Sequence, residues 1–257
     1  MPTHHTTIAG RAAGEDAAGD AGGYALPELM TVEPERRRVA SLAEKAYYLL
    51  RDKIITLQLP PGSTIDERAL QQELDLGRTP IREALHRLAD ESFVRVIPRR
   101  GMFVAGVEAG DLGAISELRV ELEGFAGRLG TERASPGERA AAEDLRKEVA
   151  TTAEGGVNGN ASADHLDHLE LMRLDQRIHR LVHRCTRNPY LQSTCESYFV
   201  HSLRLWFLGL DRITRLDEAV AEHLDVLAAV RDGDADTAER VLRAHVAGFE
   251  REIRAVL

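Results

Sequence analysis

The sequence has few cysteines, few aromatic residues and no long apolar run. Its 257 residues include two cysteines, one tryptophan and 5% aromatic residues in all. Because Cys185 and Cys195 follow no spacing typical of metal or redox sites, we expect free thiols packed in a core. No apolar run approaches the roughly 20 residues that cross a bilayer, and the N-terminus lacks the basic-then-apolar pattern of a secretory signal. These absences predict a cytoplasmic protein with no disulfide scaffold and no membrane partner.

The net charge of −9 is unevenly distributed along the chain. Residues 78–101 contain six basic and three acidic side chains, so this short segment carries a charge of +3. A local basic segment attracts phosphate groups even when the rest of the protein is acidic. The acidic total therefore does not exclude a nucleic-acid partner.

Residues 66–90 have the pattern of two short helices joined by a tight turn. The two prolines and the glycine at 60–62 end the helical segment that precedes them. Asp66 is suited to cap the next short helix. Thr79-Pro80 opens the following helix, where the missing N–H of proline costs no hydrogen bond. Asp-Leu-Gly at 75–77 forms the turn between them.

Basic side chains occupy two positions in this pattern. Arg78 and Arg82 are four residues apart, so they share one face of the second helix near its N-terminus. Two β-prone runs flank a basic tip, residues 98–101, which predicts a hairpin. Arginine binds the O6 and N7 atoms of guanine, or two phosphate oxygens, with one planar fork. A single arginine is more often in a surface salt bridge, but the order helix, turn, helix, wing predicts a DNA-binding domain.

Four motifs carry a family resemblance: Leu59-Pro60-Pro61-Gly62, Asp66-Glu67-Arg68, Arg78-Thr79-Pro80-Ile81-Arg82-Glu83-Ala84-Leu85 and Arg99-Arg100-Gly101-Met102-Phe103-Val104. They make residues 41–105 similar to the DNA-binding domain of the GntR family of bacterial transcription regulators. The resemblance implies that a homodimer binds a palindromic operator in double-stranded DNA. The DNA contacts that it implies, together with the basic tip, are Arg68, Arg78, Thr79, Arg82, Arg99, Arg100 and Gly101. Two departures are Gly77, where a helix-capping hydroxyl residue is usual, and Ser92, where a turn glycine is common.

We expect three segments and a mainly α fold. Residues 1–38 are rich in alanine, glycine and acidic residues and are predicted to be a disordered or arm-like extension. Residues 39–105 form the winged helix-turn-helix, and residues 106–257 form an all-α antiparallel helical bundle. Breaks in the helical periodicity place the bundle helices at 108–131, 136–151, 164–187, 189–212, 215–231 and 235–255, with a surface loop at 151–163.

Four residues in the helical half have a spacing that suits a metal site. Asp175 and His179 are four residues apart and project from one face of a helix. His223 and His245 each lie eleven residues from Asp234, within the Asp232-Gly233-Asp234 turn, so an antiparallel hairpin brings them to about the same depth. Neutral imidazoles with one carboxylate suit Zn²⁺, Ni²⁺ or a related divalent ion. A lone histidine is more often a hydrogen-bonded core residue, and His183 continues the same helical series, so the spacing alone leaves both interpretations open.

A second resemblance favours the metal. Leu118-Arg119 with Leu122-Glu123, the Asp175-to-His179 run, Asn188-Pro189, Glu222-His223 and His245 make residues 108–255 similar to the FCD effector domain of the FadR-type branch of the GntR family. The resemblance implies a divalent metal, zinc or nickel, held by Asp175, His179, His223 and His245. It also implies a small carboxylate effector that completes the coordination. Arg119 is a candidate to bind its anionic end, with a salt bridge to Glu121 or Glu123 as the equal alternative.

Three functions are compatible with these residues. The first is a metabolite-responsive transcription regulator, a repressor in most of the family, in which effector binding changes the spacing of two DNA-binding domains. The second is a metal-dependent hydrolase or lyase that uses the Asp/His cluster, although the chain has no hydrolase motif and the winged helix would be unexplained. The third gives the bundle only a dimerising role, without a metal. We predict the first, and no enzymatic activity.

Overall fold

The computed structural model describes residues 23–32, 38–107, 109–155, 164–209 and 221–256. The N-terminal half contains three helices, α1 (Leu42–Ile55), α2 (Glu67–Leu74) and α3 (Arg78–Asp90). It also contains two antiparallel strand pairs, β1 (Tyr24–Ala25) with β2 (Arg38–Val39), and β3 (Val94–Ile97) with β4 (Gly101–Val104). This order confirms the predicted helix-turn-helix followed by a wing.

Capping side chains set where the first helices begin. Ser41 Oγ accepts a hydrogen bond from the Glu44 N–H at 3.1 Å and starts α1. Asp66 Oδ1 accepts hydrogen bonds from the first N–H groups of α2, at 2.9 and 3.1 Å. Gly77 precedes α3 and supplies no side-chain cap, as its identity predicts. The start of α3 therefore keeps free N–H groups at the end of the helix that is expected to meet DNA.

The wing is a four-residue antiparallel ladder in which Val94 pairs with Val104 and Ile97 with Gly101. Its tip requires two left-handed residues, Arg99 at φ 63° and Gly101 at φ 102°. Glycine adopts the second conformation without strain. Ser92, just before β3, is also left-handed at φ 65°, which explains why glycine is usual at that turn.

The winged helix-turn-helix of residues 39–105, the reader, shares its core with the bundle. The buried face of α1 and α3, together with Phe93, packs against Phe199, Leu203 and Trp206 of the bundle in one apolar cluster. The spacing of Leu42, Ala46 and Leu50 predicts one buried stripe on α1, but Leu42, in the first turn of this helix, is 36% exposed and lies outside the cluster. Since the reader and the bundle share a core, a change in the bundle can be transmitted to the reader by direct packing.

The bundle contains α4 (Ala109–Arg133), α5 (Pro136–Gly155), α6 (Asp164–Cys185), α7 (Pro189–Gly209), α8 (His223–Asp232) and α9 (Ala235–Val256). Helices α4 and α9 approach closely because Gly127 has no side chain: a Cβ there would lie 2.6 Å from a Leu242 methyl carbon. Gly233, left-handed at φ 81°, ends α8 and lets α9 begin two residues later. The predicted α8–α9 hairpin is thus present.

Several boundaries differ from the sequence prediction. Helix α5 continues to Gly155 rather than ending at 151, and the hydroxyls of Thr151 and Thr152 bond to carbonyls one turn back. Residues 156–163 of the expected loop, and the expected helical residues 210–212 and 215–220, lie outside the described part of the chain. Among the described residues, no helix is long and apolar enough to cross a membrane. Both cysteines are buried and free, as expected, and burial raises the pKa of Cys185 to about 11.

Part of the N-terminal extension packs against the reader. Within residues 23–32, the side chains of Leu26, Met30, Thr31 and Val32 are buried. The Thr31 N–H donates to Asp52 Oδ1 of α1 at 2.8 Å. Residues 1–22 and 33–37, which include the rest of the predicted arm, lie outside the described residues.

Candidate nucleic-acid interface and metal centre

The predicted DNA contacts are all exposed. They lie in the first turn of α2, the first two turns of α3 and the tip of the wing. Arg82 has a long ion pair of 3.9 Å with Glu67, which places the starts of α3 and α2 next to each other. The exposed residues are Arg68, Arg78, Thr79, Arg82, Arg99, Arg100 and Gly101.

One further basic residue of α3 has a structural role. The helical period leaves Arg87 on the open face of α3 as well, but Arg87 pairs with Glu91 at 3.1 Å and lies over the Tyr47 ring at 3.5 Å. It therefore joins α3 to α1. The candidate interface is formed by the N-terminal half of α3, where Arg78 and Arg82 are exposed and lie beside the start of α2.

Asp175, His179, His223 and His245 converge inside the bundle. One ligand atom from each lies within 4.8 Å of the others, and the four residues are at most 5% exposed. Asp175 Oδ1 is 3.8, 3.5 and 3.8 Å from Nε2 of His179, His223 and His245, respectively. Helices α6, α8 and α9 therefore bring together the four residues that the sequence singled out.

Two carboxylates outside the cluster orient its imidazole rings. Nδ1 of His179 lies 3.0 Å from Oε2 of Glu123, and Nδ1 of His245 lies 3.0 Å from Oε2 of Glu222. A ring that donates Nδ1–H to a carboxylate presents the lone pair of Nε2 on its other side. These two contacts therefore aim both Nε2 atoms at Asp175.

This arrangement fits a divalent cation. Bonds of zinc to nitrogen and oxygen are about 2.0–2.2 Å long, which puts tetrahedral ligand atoms about 3.3–3.6 Å apart. The Nε2 atoms of His179 and His223 are 3.3 Å apart, close to that spacing. Asp175 Oδ1 is buried and has no hydrogen-bond partner, which is costly for a carboxylate unless a cation satisfies it. The donor set suits zinc or nickel.

Glu123 and His183 belong to the same polar core, although the sequence did not assign them to it. Oε2 of Glu123 also lies 2.9 Å from Nε2 of His183, one turn beyond His179 on α6. The helical series from His179 to His183 was the available signal. Burial raises the pKa of the Glu123 carboxyl, but the two neighbouring histidines outweigh burial and hold this pKa well below its usual range.

Arg119 is buried and forms the salt bridge that was one of its two predicted roles. Its Nη2 atom is 3.2 Å from Glu123 Oε1, and Nη1 donates to Ser202 Oγ at 2.8 Å. The partner is Glu123 and not Glu121, which pairs with Arg243 on the surface. Arg119 Nε is buried without a hydrogen-bond partner, so this guanidinium retains a free donor close to the cluster.

Two family models match the chain. Residues 42–104 match the model described as "Bacterial regulatory proteins, gntR family", and residues 114–248 match the FCD domain. The first match covers the helix-turn-helix and the wing. The second covers all four residues of the Asp/His cluster, as well as Glu123 and Arg119.

Similar proteins are described as transcriptional regulators. The chain is 30% identical over 202 residues to an uncharacterized transcriptional regulator in an unstable DNA locus of Streptomyces ambofaciens, covering 78% of this chain and 80% of its relative. It is 29% identical to the Nta operon transcriptional regulator of Aminobacter aminovorans, over 75% of this chain and 85% of that protein. It is 22% identical to the transcriptional repressor RspR of Escherichia coli, over 88% and 95% of the two chains.

Solved structures share the fold. Escherichia coli McbR/YncC superimposes with a TM-score of 0.68 at 22% identity, over 82% of this chain and 95% of that one. A putative GntR regulator from Rhodococcus sp. RHA1 superimposes with a TM-score of 0.62 at 20% identity, over 84% and 98% of the chains. At this identity the likeness concerns the fold alone.

Proposed function

The chain belongs to the gntR family of bacterial regulatory proteins and carries an FCD domain, and we propose that this DNA-binding transcription regulator is a homodimeric repressor released from its operator by a small carboxylate. The observation that carries the proposal is the convergence of Asp175, His179, His223 and His245 in a bundle that shares its core with the reader. The hydrolase or lyase alternative is set aside, because the matched families and relatives are regulators and not enzymes.

In the proposed DNA complex, α3 enters the major groove of each half-site. Arg78 and Arg82 bind base edges or phosphates, Thr79 and Arg68 contact the backbone, and the wing brings Arg99, Arg100 and Gly101 to the adjacent groove. The exposure of all seven residues supports these roles. A palindromic operator follows from two-fold symmetry of the dimer. A cytoplasmic location goes with this proposal, because the operator lies on the chromosome.

An exposed apolar face of helix α4 is consistent with the proposed homodimer. Leu118 and Phe125 are 38% and 49% exposed, and they are two helical turns apart on the same face of α4. Large apolar side chains grouped on a surface are typical of protein interfaces. We assign this face to the contact between the two subunits.

In the bundle, we propose that the four clustered residues hold a divalent ion, zinc or nickel. Such an ion supplies a Lewis acid to which carboxylate oxygens bind. Glu123 and Glu222 keep the rings of His179 and His245 in position for it. The unpaired Nε of Arg119 would donate to the anionic end of the effector.

The DNA-binding part is tested by gel-shift assays on fragments from upstream of the protein's own gene. Arg78→Ala and Arg82→Ala should each weaken specific binding by about 1–3 kcal/mol. Arg254→Ala, an exposed arginine at the end of α9, is the control and should bind like the unmodified protein. Absence of salt-sensitive, sequence-selective binding to every fragment would refute this part of the proposal.

The metal and the effector are tested together. Elemental analysis of purified protein should find about one zinc or nickel ion per chain, and His223→Ala and His245→Ala should lose it. A thermal-shift screen of small carboxylates, with and without chelator, should find ligands that stabilise only the metal-loaded protein. Metal content unaffected by both substitutions would leave the bundle with the dimerising role alone.

A further inference from the structure

A cavity of about 340 Å³ lies where the N-terminal segment, the reader and the bundle meet. Thr31 forms one wall, Arg51 of α1 another, and Arg180 and His183 of α6 with Glu196 of α7 the rest. Its volume is at the lower end of the range of small-molecule sites, roughly 300–1,000 Å³. None of the four clustered metal residues lines it, so it is separate from the proposed metal site.

Two buried polar atoms of this wall have no hydrogen-bond partner. They are Arg51 Nε and His183 Nδ1, on residues that are 8% and 1% exposed. A buried polar atom left without a partner is costly, and native structures contain few of them. Two such atoms on residues that line one cavity indicate that polar groups of a bound molecule complete the wall.

The charges of the wall favour an anion. Arg180 is paired with Glu196 at 2.9 Å, so its charge is balanced. Arg51 donates to the Thr31 carbonyl at 3.0 Å and to the Tyr47 hydroxyl at 3.2 Å. Among the described residues it has no carboxylate within ion-pair distance, since Asp52 is turned to the Thr31 N–H. A buried guanidinium without a bonded anion is suited to bind a carboxylate.

His183 adds a hydrogen-bonding group to the wall. Its Nε2 lies 2.9 Å from Glu123 Oε2, a carboxylate oxygen, so Nε2 carries a hydrogen and Nδ1 is left for a ligand. A ligand hydroxyl is the matching group. We propose that this cavity binds a small hydroxycarboxylate, with its carboxylate on Arg51 and Arg180 and its hydroxyl on His183.

Such a ligand would join the reader to the bundle. Arg51 belongs to the reader and Arg180 to the bundle, and both already donate to the Thr31 carbonyl, at 3.0 and 3.1 Å. His183 shares Glu123 with His179, so the cavity is one side chain away from the metal ligands. The cavity is thus a second input to the regulator, beyond the effector site of the proposed function.

The test uses isothermal titration calorimetry on the full chain after removal of metal by chelator. The probes are 3-hydroxybutyrate, butyrate, which lacks the hydroxyl, and 3-hydroxybutyramide, which lacks the charge. We expect 3-hydroxybutyrate to bind the metal-free protein. Butyrate should bind at least about tenfold more weakly, and the amide should not bind.

Variants assign the site. Arg51→Gln and Arg180→Gln should each weaken 3-hydroxybutyrate binding by about tenfold or more. Arg177 lies on the same helix as Arg180, is exposed and pairs with Glu148 of α5. Arg177→Gln is therefore the matched control and should bind 3-hydroxybutyrate normally. If Arg180→Gln unfolds, Arg51→Lys, which keeps the charge and loses the fork, should still show weakened binding.

Two outcomes would overturn the inference. One is that 3-hydroxybutyrate does not bind the metal-free protein, or binds Arg51→Gln as it binds the unmodified chain. The other is binding that requires metal and disappears in His245→Ala, which would place the ligand at the metal centre. The second outcome refutes the cavity site and leaves the proposed function intact, so the two failures are distinguishable.

Discussion

Nδ1 of His179 lies 3.0 Å from Oε2 of Glu123, on the side of the imidazole ring that faces away from Asp175. The carboxylate thereby fixes which nitrogen of His179 faces the cluster. Partners of this kind, behind metal-binding histidines, are worth about 10–100-fold in metal affinity.

We therefore expect Glu123→Gln to weaken zinc binding by about 10–100-fold. The neutral amide keeps the shape of the side chain but binds the ring N–H less strongly. Competition with a chromophoric chelator measures the affinity. Glu121→Gln, on the exposed side of the same helix, is the control. Equal zinc affinity in Glu123→Gln and the unmodified protein would show that Glu123 does not position His179.

Gly77→Ser should stabilise the reader. The backbone of Gly77, at φ −66° and ψ 167°, is already that of a capping residue, and a Cβ there would meet nothing closer than Pro80 Cδ at 3.9 Å. A serine hydroxyl can accept a hydrogen bond from a free N–H of α3, which contributes about 0.3 kcal/mol relative to a glycine cap.

Urea unfolding of the full chain, followed by circular dichroism, measures this gain. Gly77→Ala adds the same Cβ without the hydroxyl and should not stabilise the protein. If serine and alanine have the same effect, the gain comes from restricting the unfolded chain and not from capping.

Phe125→Glu should convert the proposed dimer into a monomer. A carboxylate on the exposed apolar face of α4 would be buried without a partner in the interface, which is costly. Light scattering coupled to size exclusion gives the mass. Tyr190→Glu, at an aromatic residue that is 83% exposed on α7, is the control and should leave the mass unchanged. A dimer that persists in Phe125→Glu would exclude this face as the interface.

His201 predicts an acid-sensitive contact between the reader and the bundle. Its ring stacks on Phe93, with centroids 4.1 Å apart, and Nε2 donates to the Glu91 carbonyl at 3.0 Å. The pKa of His201 is lowered, mainly by burial and further by the charge of nearby Arg204. The hydrogen bond to the Glu91 carbonyl and the charges of Glu91 and Asp111 oppose this shift without reversing it.

Proton linkage sets the direction in which stability changes with pH. Below the ordinary histidine pKa of about 6.5, the unfolded chain binds a proton that folded His201 does not bind, so the native state loses stability as the pH falls. The stability advantage of the unmodified protein over His201→Gln should therefore shrink between about pH 7 and pH 5. Urea unfolding at several pH values measures it, with exposed His86→Gln as the control. An advantage that stays constant over this range would contradict the prediction.

Local signals predicted most of the fold. Asp66, the prolines after α1 and the Thr79-Pro80 pair each act within one turn of backbone, and the structure places helix boundaries where they indicate. The predicted start of the surface loop, residue 151, was wrong. The glycines between 155 and 162 favoured an early break, whereas the helix continues to Gly155 and the hydroxyls of Thr151 and Thr152 bond to its carbonyls.

The sequence by itself determined the reader and the four clustered residues, because their spacing obeys helical and hairpin geometry: four residues separate Asp175 from His179, and His223 and His245 each lie eleven residues from Asp234. Only the tertiary structure decided the partners of Glu123, Arg119 and Thr31. Glu123 meets His179 and His183 across two helices, and Thr31 meets Arg51 and Arg180 across two domains. Such contacts depend on how separate elements pack, and packing leaves no period in the chain that a sequence pattern can reveal.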